Sequence, residues 1–245
     1  MPELLLQKEV CFDTETTSLN ELEAQIVGLA LSWEVHKGYY ILFPEDFDLA
    51  GQWLSVLKPF FESTTILKIG QNLKYDLKVL TNYGIEVHGQ LFDTMIAHYL
   101  LNPDMRHNMD LLSEAYLGYT PIAIDTLIGK KGKGQLTMRA VSAELQKEYA
   151  VEDTDVTLQL KHTFLPLLEK DQMVKLFTEV EAPLVKVLAQ MEYEGICLDT
   201  HFLGELSKEI NTDLIALQTT IFDQAGESFN LSSPKQLGDI LFEKL

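Results

Sequence analysis

The order of strand-like and helix-like segments along the N-terminal half of the chain limits the folds that it can adopt. Residues 9–12 form a short apolar segment, and residues 25–33 and 38–43 are rich in β-branched and aromatic side chains, as strands are. Residues 34–37 are a predicted turn between the latter two. Three strands that follow one another through short connections predict a meander.

Strands and helices alternate after this meander. The apolar pattern predicts a helix over about residues 49–61, a strand over 65–69, and a helix over about 73–82 that stops where Gly84 can cap it. Helices dominate from Thr94 onward. This combination predicts an α/β fold in which a mixed sheet is flanked by helices.

The pattern changes after about residue 170 to that of long helices, which predicts a helical hairpin. Apolar side chains at spacings of three or four residues form two stripes: Val180, Leu184, Leu188 and Met191, then Leu203, Leu206, Ile210, Leu214, Leu217 and Ile221. Ser233 and Pro234 are typical of the start of a further helix. No stop signal follows before Leu245, so the chain is expected to be a piece of a longer protein.

Charge and hydropathy exclude several classes of protein. With 37 acidic and 19 basic side chains, the formal charge is −18, which opposes general adhesion to nucleic acid or anionic membranes. The densest positive patch is residues 128–136, with three lysines and three glycines, and it is predicted to be a mobile loop.

The sequence also lacks the patterns of a membrane span and of a cysteine metal site. No apolar run approaches the roughly 20 residues of a membrane span, and Cys11 and Cys197 match no metal-ligand spacing. A cytoplasmic protein without a membrane partner is expected.

The most informative motif is FDTET at residues 12–16, directly after the first apolar segment. Side chains along a strand repeat every second residue, so Asp13 and Glu15 are expected on the same side. Two carboxylates at a strand end favour a hard cation. A solvated polar strand end is the alternative interpretation.

Two later motifs add an acid each. In GQNLKYD, at residues 70–76, Asp76 lies in the first turns of a predicted helix, where it could also simply complement the helix dipole. In YAVED, at residues 149–153, a spacing of four places Tyr149 beside Asp153 on one helix face. A surface aromatic next to a solvated acid is the alternative there.

The combination of these motifs favours a metal site more than any of them alone. Four carboxylates about 5 Å apart would repel by roughly 3 kcal/mol per pair at an effective dielectric of about 20, so such a cluster needs cations. Oxygen-only ligands suit Mg²⁺ or Mn²⁺, and two such ions about 4 Å apart can activate a water and stabilise the leaving oxygen of a phosphodiester. Asp93 is expected instead to cap the helix that opens at Thr94. The other nearby acids excluded from the metal set are Asp104, Asp110 and Asp155.

In this order, the three motifs resemble those of the DEDD superfamily of exonucleases, in its tyrosine-containing branch. FDTETTSLN, IGQNLKYDLKVL, FDTMIAHYLLNP, RHNMDLL and YAVEDTDVTLQL together resemble the proofreading domain of the bacterial DNA polymerase I family. EAPLVKVLAQMEYEGICLD and FNLSSPKQLGDILFEKL resemble the segment that enters the thumb of those polymerases. The resemblance covers essentially the whole chain. It implies a ribonuclease H-like exonuclease domain over residues 1–170 and the start of a polymerase domain, with a connecting helix and partial thumb, over residues 171–245.

The resemblance also implies roles for the acidic residues. Asp13, Glu15 and Asp153 would hold the more tightly bound of two divalent ions, Mg²⁺ or Mn²⁺. Asp13 and Asp76 would lie at the second ion. Tyr149 would help to orient the attacking water.

Substrate contacts are implied in the same way. Leu19 matches an apolar residue that wedges against the terminal base, and the positions that match contacts to the frayed strand are Gln71, Asn72, Tyr75 and Arg106. Loop packing of Leu19, helix packing of Tyr75 and a surface pair of Arg106 with His107 are the alternatives. Near Ile124 the family has an aromatic residue that stacks on the substrate, and an aliphatic side chain would stack less.

The implied activity is removal of single nucleotides from the 3′ end of DNA, with 5′-mononucleotides as products. The expected partners are a single-stranded or frayed 3′ end and the rest of a polymerase chain, in the cytoplasm at the nucleoid. One alternative is a catalytically weak DNA-binding scaffold domain, against which the intact carboxylates and Tyr149 argue. The other is a DEDD exoribonuclease, against which the thumb-like residues 171–245 argue. Polymerase activity is not expected, because the sequence stops before any fingers or palm.

Overall fold

A mixed five-stranded sheet lies at the centre of the larger of two compact units in the computed structural model, which describes residues 2–244. The larger unit covers residues 2–194 and the smaller one residues 195–244. The strands are β1 (Glu9–Thr16), β2 (Ile26–Glu34), β3 (Lys37–Leu42), β4 (Leu67–Gly70) and β5 (Leu91–Asp93). Their order is β3-β2-β1-β4-β5, with β1, β2 and β3 antiparallel and β4 and β5 parallel to β1. The predicted meander and α/β fold are confirmed.

Helices cover both faces of this sheet. Those of the larger unit are α1 (Pro2–Leu5), α2 (Phe47–Ser55), α3 (Lys58–Phe61), α4 (Leu73–Asn82), α5 (Thr94–Leu101), α6 (Met109–Leu117), α7 (Asp125–Ile128), α8 (Ala143–Lys170), α9 (Val174–Leu176) and α10 (Ala182–Glu194). A 3₁₀ turn at Met138–Ala140 precedes α8, and a π-helical turn at Phe177–Glu181 precedes α10. The single helix predicted over residues 49–61 is wrong. Pro59 lies in the first turn of α3, where a missing N–H is tolerated but from which a preceding helix cannot continue unbroken.

The alternation of β1 divides the core into two parts. Val10 and Phe12 face α2, α3 and α4, and Phe12 packs edge-to-face against Phe61 with ring centroids 5.4 Å apart. Cys11 faces the opposite way, into a cluster built largely from α5, α6 and α8. Asp13 and Glu15 lie on the same face of β1 as Cys11, so they point toward α8 at the end of the strand. Thr14 lies on the same face of β1 as Phe12 and points toward α4.

The long helix α8 packs across β1, β2, β3 and β4. Its N-cap is Ser142, whose Oγ accepts from the backbone N–H of Leu145. Further along α8, Lys161 and His162 bind the carboxylate of Glu9 at distances of 2.5 and 2.8 Å. These contacts fix α8 against the first residue of β1.

The smaller unit contains α11 (Thr200–Ala225), α12 (Pro234–Asp239) and a π-helical turn at Ile240–Lys244. Asp199 caps α11, and Gly226 ends it in the left-handed conformation with φ 72°. The predicted helices are therefore confirmed, while the predicted continuation to Leu245 falls on a residue outside the described part. Among residues 2–244, no helix is both long and apolar enough to cross a membrane.

The compact larger unit extends past residue 170, where a polymerase segment was predicted to begin. Residues 174–194 form α9, the π-helical turn and α10, and α10 packs on α4. The side chains of α10 that are buried are Ala182, Val185 and Ala189. The predicted stripe of larger apolar side chains around this helix is instead exposed: Val180, Leu184, Leu188 and Met191.

Candidate metal centre

Three acidic side chains converge where β1 ends against α8. One carboxylate oxygen from each of Asp13, Glu15 and Asp153 can be chosen so that all lie within 4.8 Å of one another. Glu15 and Asp153 are buried, and Asp13 is partly exposed. A strand with two acids of the same parity and a helix crossing it are enough to build this cluster.

Two oxygen atoms of the cluster have no hydrogen-bond partner in the described part of the chain. Glu15 Oε1 and Asp153 Oδ1 are buried and accept no hydrogen bond from any residue in the range 2–244. An unsatisfied buried acceptor costs about 1–3 kcal/mol, and more when it carries charge. Oxygen ligands with free lone pairs are what hard divalent cations such as Mg²⁺ and Mn²⁺ prefer, so the residues fit a divalent metal.

Electrostatics at the cluster oppose ionisation without a counter-charge. Burial raises the pKa of Asp13 to about 6. Burial, followed by the negative charge of Asp13, also raises the pKa values of Glu15 and Asp153. Removal from water and mutual repulsion act in the same direction here, and a bound cation would offset both.

Asp76 reaches the site from the opposite face of the sheet. It lies in the first turn of α4, and its Oδ1 accepts from Thr14 N at 3.0 Å and from Thr14 Oγ1 at 2.5 Å. Burial and then the charge of Asp13 raise the pKa of Asp76, while the two bonds from Thr14 lower it. Asp13 therefore neighbours both Asp76 on the α4 side and the Glu15–Asp153 pair on the α8 side.

Thr14 is a site residue that sequence reasoning missed. It stands between the two acids of the first motif, and strand alternation turns its side chain away from them. Strand alternation was therefore the sequence signal that could have indicated a separate role for Thr14 on the other face of the sheet. Once α4 is known to pack on the other face, the hydroxyl of Thr14 is the group expected to meet Asp76.

Tyr149 lies one helical turn before Asp153 on α8. Burial, and then the charges of Asp153, Glu15 and Asp13, raise the pKa of its phenol. The hydroxyl is therefore protonated at neutral pH and can act as a donor toward the acids.

A cleft of about 750 Å³ opens over these residues. It is lined by Asp13, Glu15, Asp76 and Tyr149, and by four of the residues predicted to contact substrate, Leu19, Gln71, Asn72 and Tyr75. Ile124, at the start of α7, lines it too. The side chain of Leu19 is 85 % exposed, so it does not pack within its own loop.

Tyr75 and Lys78 hold the loop that carries Leu19. The phenol of Tyr75 donates to Ser18 O at 2.5 Å, and burial raises its pKa to about 12. Lys78 is buried and pairs with Glu21 of the loop and with Glu192 of α10. The loop is thereby tied to α4 and α10.

The backbone at Asn72 adopts the left-handed conformation with φ 60°, which asparagine tolerates better than most residues. Its N–H donates to Asp93 Oδ1 at 3.1 Å. Asp93 also accepts from Met95 N and Ile96 N at the start of α5. The predicted capping role of Asp93 is confirmed, and the same carboxylate fixes the turn that presents Asn72 to the cleft.

Gln71 connects the cleft to the segment between α5 and α6. Its Nε2 donates to His107 O at 2.7 Å, and its Oε1 accepts from Thr94. His107 Nδ1 in turn lies 2.7 Å from His98 Nδ1. Arg106, in the same segment, is exposed and does not line the cleft, so the structure does not bring it together with the other predicted contacts.

Comparison with known proteins gives a consistent result. A family model described as 3′-5′ exonuclease matches residues 2–169. DNA polymerase I of Pseudomonas aeruginosa is 39% identical over 96% of this chain and 27% of its own length, and that of Rhizobium leguminosarum is 38% identical over 96% and 25%. DNA polymerase I of Borreliella burgdorferi is 37% identical over 97% and 26%. The chain thus spans about a quarter of the length of these relatives.

Two solved structures share the fold. The POL domain of Pol1 from M. smegmatis, in complex with DNA primer-template and dNTP, aligns with a TM-score of 0.80 and 22% identity over 100% of this chain and 39% of its own. Brucella melitensis NrnC aligns with a TM-score of 0.63 and 21% identity over 79% of this chain and 88% of its own.

Proposed function

Because the chain belongs to the 3′-5′ exonuclease family, we propose that it hydrolyses the terminal phosphodiester bond of DNA from the 3′ end and releases 5′-mononucleotides. The observation that carries this proposal is the pair of buried oxygens, Glu15 Oε1 and Asp153 Oδ1, which lie beside Asp13 and have no hydrogen-bond partner among residues 2–244. Asp13 and Glu15 line a cleft large enough for a nucleotide, and a carboxylate oxygen of Asp153 lies within 4.8 Å of theirs.

Two divalent ions, Mg²⁺ or Mn²⁺, would bind here. Asp13, Glu15 and Asp153 would hold one, and Asp13 with Asp76 the other. When bound, such ions lower the pKa of a water molecule and stabilise the leaving 3′ oxygen. The two bonds from Thr14 keep the carboxylate of Asp76 directed to the end of β1.

The remaining residues of the cleft position the substrate and the water. Tyr149, protonated and beside Asp153, orients the attacking water. Leu19, exposed at the rim and braced by Tyr75 and Lys78, wedges against the terminal base. Gln71, Asn72 and Arg106 contact the frayed strand, with Arg106 reaching it from the segment that Gln71 holds.

Single-stranded or frayed 3′ ends are the proposed substrate, because a paired terminus must first unstack and unpair at a cost of a few kcal/mol. In a polymerase this preference performs proofreading. We propose that residues 171–245 begin the polymerase part of such a chain, in the cytoplasm at the nucleoid. The exposed apolar side chains near α10 are suited to contact with the rest of it.

Neither alternative is favoured by a specific observation. A scaffold domain without catalysis would have no use for two unpartnered buried carboxylate oxygens. An exoribonuclease would not require the segment that resembles a thumb.

The test is incubation with 3′-labelled single-stranded DNA and RNA in Mg²⁺, Mn²⁺ or EDTA, beside an Asp13→Ala variant. Release of labelled mononucleotide from DNA is expected with either metal, and none with EDTA or the variant. Cleavage in EDTA, or an Asp13→Ala variant as active as the parent, would refute the two-metal proposal. Cleavage of RNA alone would favour the exoribonuclease.

A further inference from the structure

The positive patch found in the sequence lies at the edge of the cleft that Asp13, Glu15 and Asp76 line. We define the basic loop as residues 129–135, which contain Lys130, Lys131 and Lys133. Ile128 and residues 135–136, at its two ends, line the same cleft as the acidic residues. The loop therefore rises from the cleft wall.

The base of the basic loop is closed by hydrogen bonds. Leu136 N donates to Ile128 O at 2.9 Å, and Gln135 Nε2 lies 3.3 Å from Gly129 O. Gly129 and Gly134 have φ values of 81° and 103°, which side chains with a Cβ rarely adopt. The loop is thus anchored beside the cleft while its tip is in solvent.

The three lysines of the loop are exposed and unpaired within residues 2–244, where the lysine ion pairs all involve other lysines. The other lysines near the cleft, Lys74 and Lys78, are already bound by Glu192 and Glu21. In a chain with a formal charge of −18, the basic loop is a local exception.

These features point to an anionic ligand that approaches the cleft. Lysine ammonium groups bind phosphates as point charges, and such phosphate contacts carry no direct sequence information. A strand whose terminal nucleotide lies at the acidic centre brings further phosphates past the cleft rim, where the protein's net charge repels them. We propose that the basic loop binds the phosphodiester backbone of the substrate strand upstream of its terminal nucleotide, an inference that rests on the proposed exonuclease function.

The test replaces all three lysines (Lys130→Gln, Lys131→Gln, Lys133→Gln) in the full chain. Hydrolysis of a single-stranded oligothymidylate of about 12 nucleotides is followed over a range of KCl concentrations. We expect KM to rise about tenfold, kcat to be unchanged, and the slope of log KM against log salt to fall by about 2, at roughly 0.7 per lost phosphate contact. Hydrolysis of a dinucleotide, which has no phosphodiester upstream of the one that is cleaved, should be unaffected.

A charge-matched control replaces Lys8, Lys170 and Lys175, which are exposed and do not line the cleft. It should retain the parent's KM and salt slope. Equal effects of the two triple variants, or no effect of the loop variant, would overturn the inference. Melting temperatures close to that of the parent verify that both variants fold.

Binding measurements separate this inference from the proposed function. Fluorescence anisotropy of the same labelled oligothymidylate is recorded with Asp13→Ala, alone and combined with the loop variant. If the parent protein fails to hydrolyse DNA but binding still depends on the three lysines, the exonuclease proposal fails and the basic loop stands. If hydrolysis occurs as proposed and binding is the same with and without the lysines, only the loop proposal fails.

Discussion

Asp13 is the residue at which the two sides of the site meet. Its charge raises the pKa values of Glu15, Asp76 and Asp153, although these come from β1, α4 and α8. A carboxylate shared by both sides can bridge two cations, because each of its oxygens can bind one. Asp13 is therefore the residue whose loss should affect both of the proposed metal positions.

Replacement of Tyr149 by Phe isolates the role of the phenol. Removal of the hydroxyl that we propose orients the water should lower kcat by about 10- to 100-fold, at or just below the lower end of typical proton-handling contributions, with little change in KM. The measurement is steady-state hydrolysis of single-stranded DNA. Tyr39→Phe, on β3 and away from the cleft lining, is the matched control, and an equal kcat in both variants would contradict the role of Tyr149.

Thr14→Val tests how Asp76 is held. The backbone N–H of Thr14 still donates to Asp76, but the hydroxyl donor is lost, and loss of such a supporting bond typically weakens metal affinity about 10- to 100-fold. Titration with Mn²⁺ measures this directly.

Thr163→Val is the control for that titration, because its hydroxyl donates within α8 to Gln159 O at 3.0 Å, its one side-chain hydrogen bond in the described range. Its Mn²⁺ affinity should equal that of the parent. A Thr14→Val variant with unchanged affinity would show that Asp76 does not need the hydroxyl.

At the scale of elements, the contact between Glu9 and α8 fixes where Tyr149 and Asp153 lie. Burial raises the pKa of Glu9, but hydrogen bonds from Lys161 and His162 outweigh it, so the pKa is below its ordinary value of 4.5. A carboxyl with a lowered folded-state pKa stabilises the fold above its unfolded pKa, and this contribution disappears as the pH falls through the folded pKa.

Glu9→Gln should consequently destabilise the larger unit at neutral pH by about 1–3 kcal/mol, since it leaves the buried Lys161 without its charged partner. The difference in free energy of unfolding between the variant and the parent should shrink as the pH falls below about 4.5. Urea unfolding between about pH 3 and pH 7, a range that includes the ordinary carboxyl pKa, would measure the destabilisation at neutral pH and its decrease in acid. Glu34→Gln, which loses only the exposed pair with Lys37, should change stability by less than about 0.5 kcal/mol. A pH-independent difference would contradict the assignment.

Elements with strong periodicity could be predicted from the sequence, and their tertiary approach could not. The bounds of α4 and the parity of Asp13 and Glu15 follow from local patterns. The end of α2 before Pro59 is missed by the sequence prediction because the apolar pattern continues from α2 into α3. The approach of Asp76 through Thr14, and the bridge from Gln71 to His107, join residues far apart in sequence, so no local pattern encodes them.

The C-terminal part illustrates the same limit. The stripe around α10 was identified correctly as helical, but its large apolar residues are exposed while Ala182, Val185 and Ala189 are buried. Small side chains allow α10 to approach α4 closely, where the ion pairs of Lys74 and Lys78 with Glu192 also form. Periodicity indicates that a helix has faces, but not which face is covered.

At the scale of the whole molecule, the formal charge of −18 and the buried acidic cluster both favour cation binding. Saturating Mn²⁺ should therefore stabilise the larger unit, by about 2.7 kcal/mol at a hundred times Kd. That corresponds to a rise of roughly 5–10 °C in Tm. Asp13→Ala should show a much smaller shift, and no shift of the parent in millimolar metal would argue against an assembled site.

The most direct test of the central claim is the product pattern from a 5′-labelled single strand in Mg²⁺. Stepwise shortening from the 3′ end by one nucleotide at a time, with unlabelled 5′-mononucleotide as the other product, is expected from the parent and not from Asp13→Ala. Immediate release of the 5′ label, internal cuts without a ladder, or the same ladder from Asp13→Ala would contradict a metal-dependent 3′-5′ exonuclease centred on Asp13.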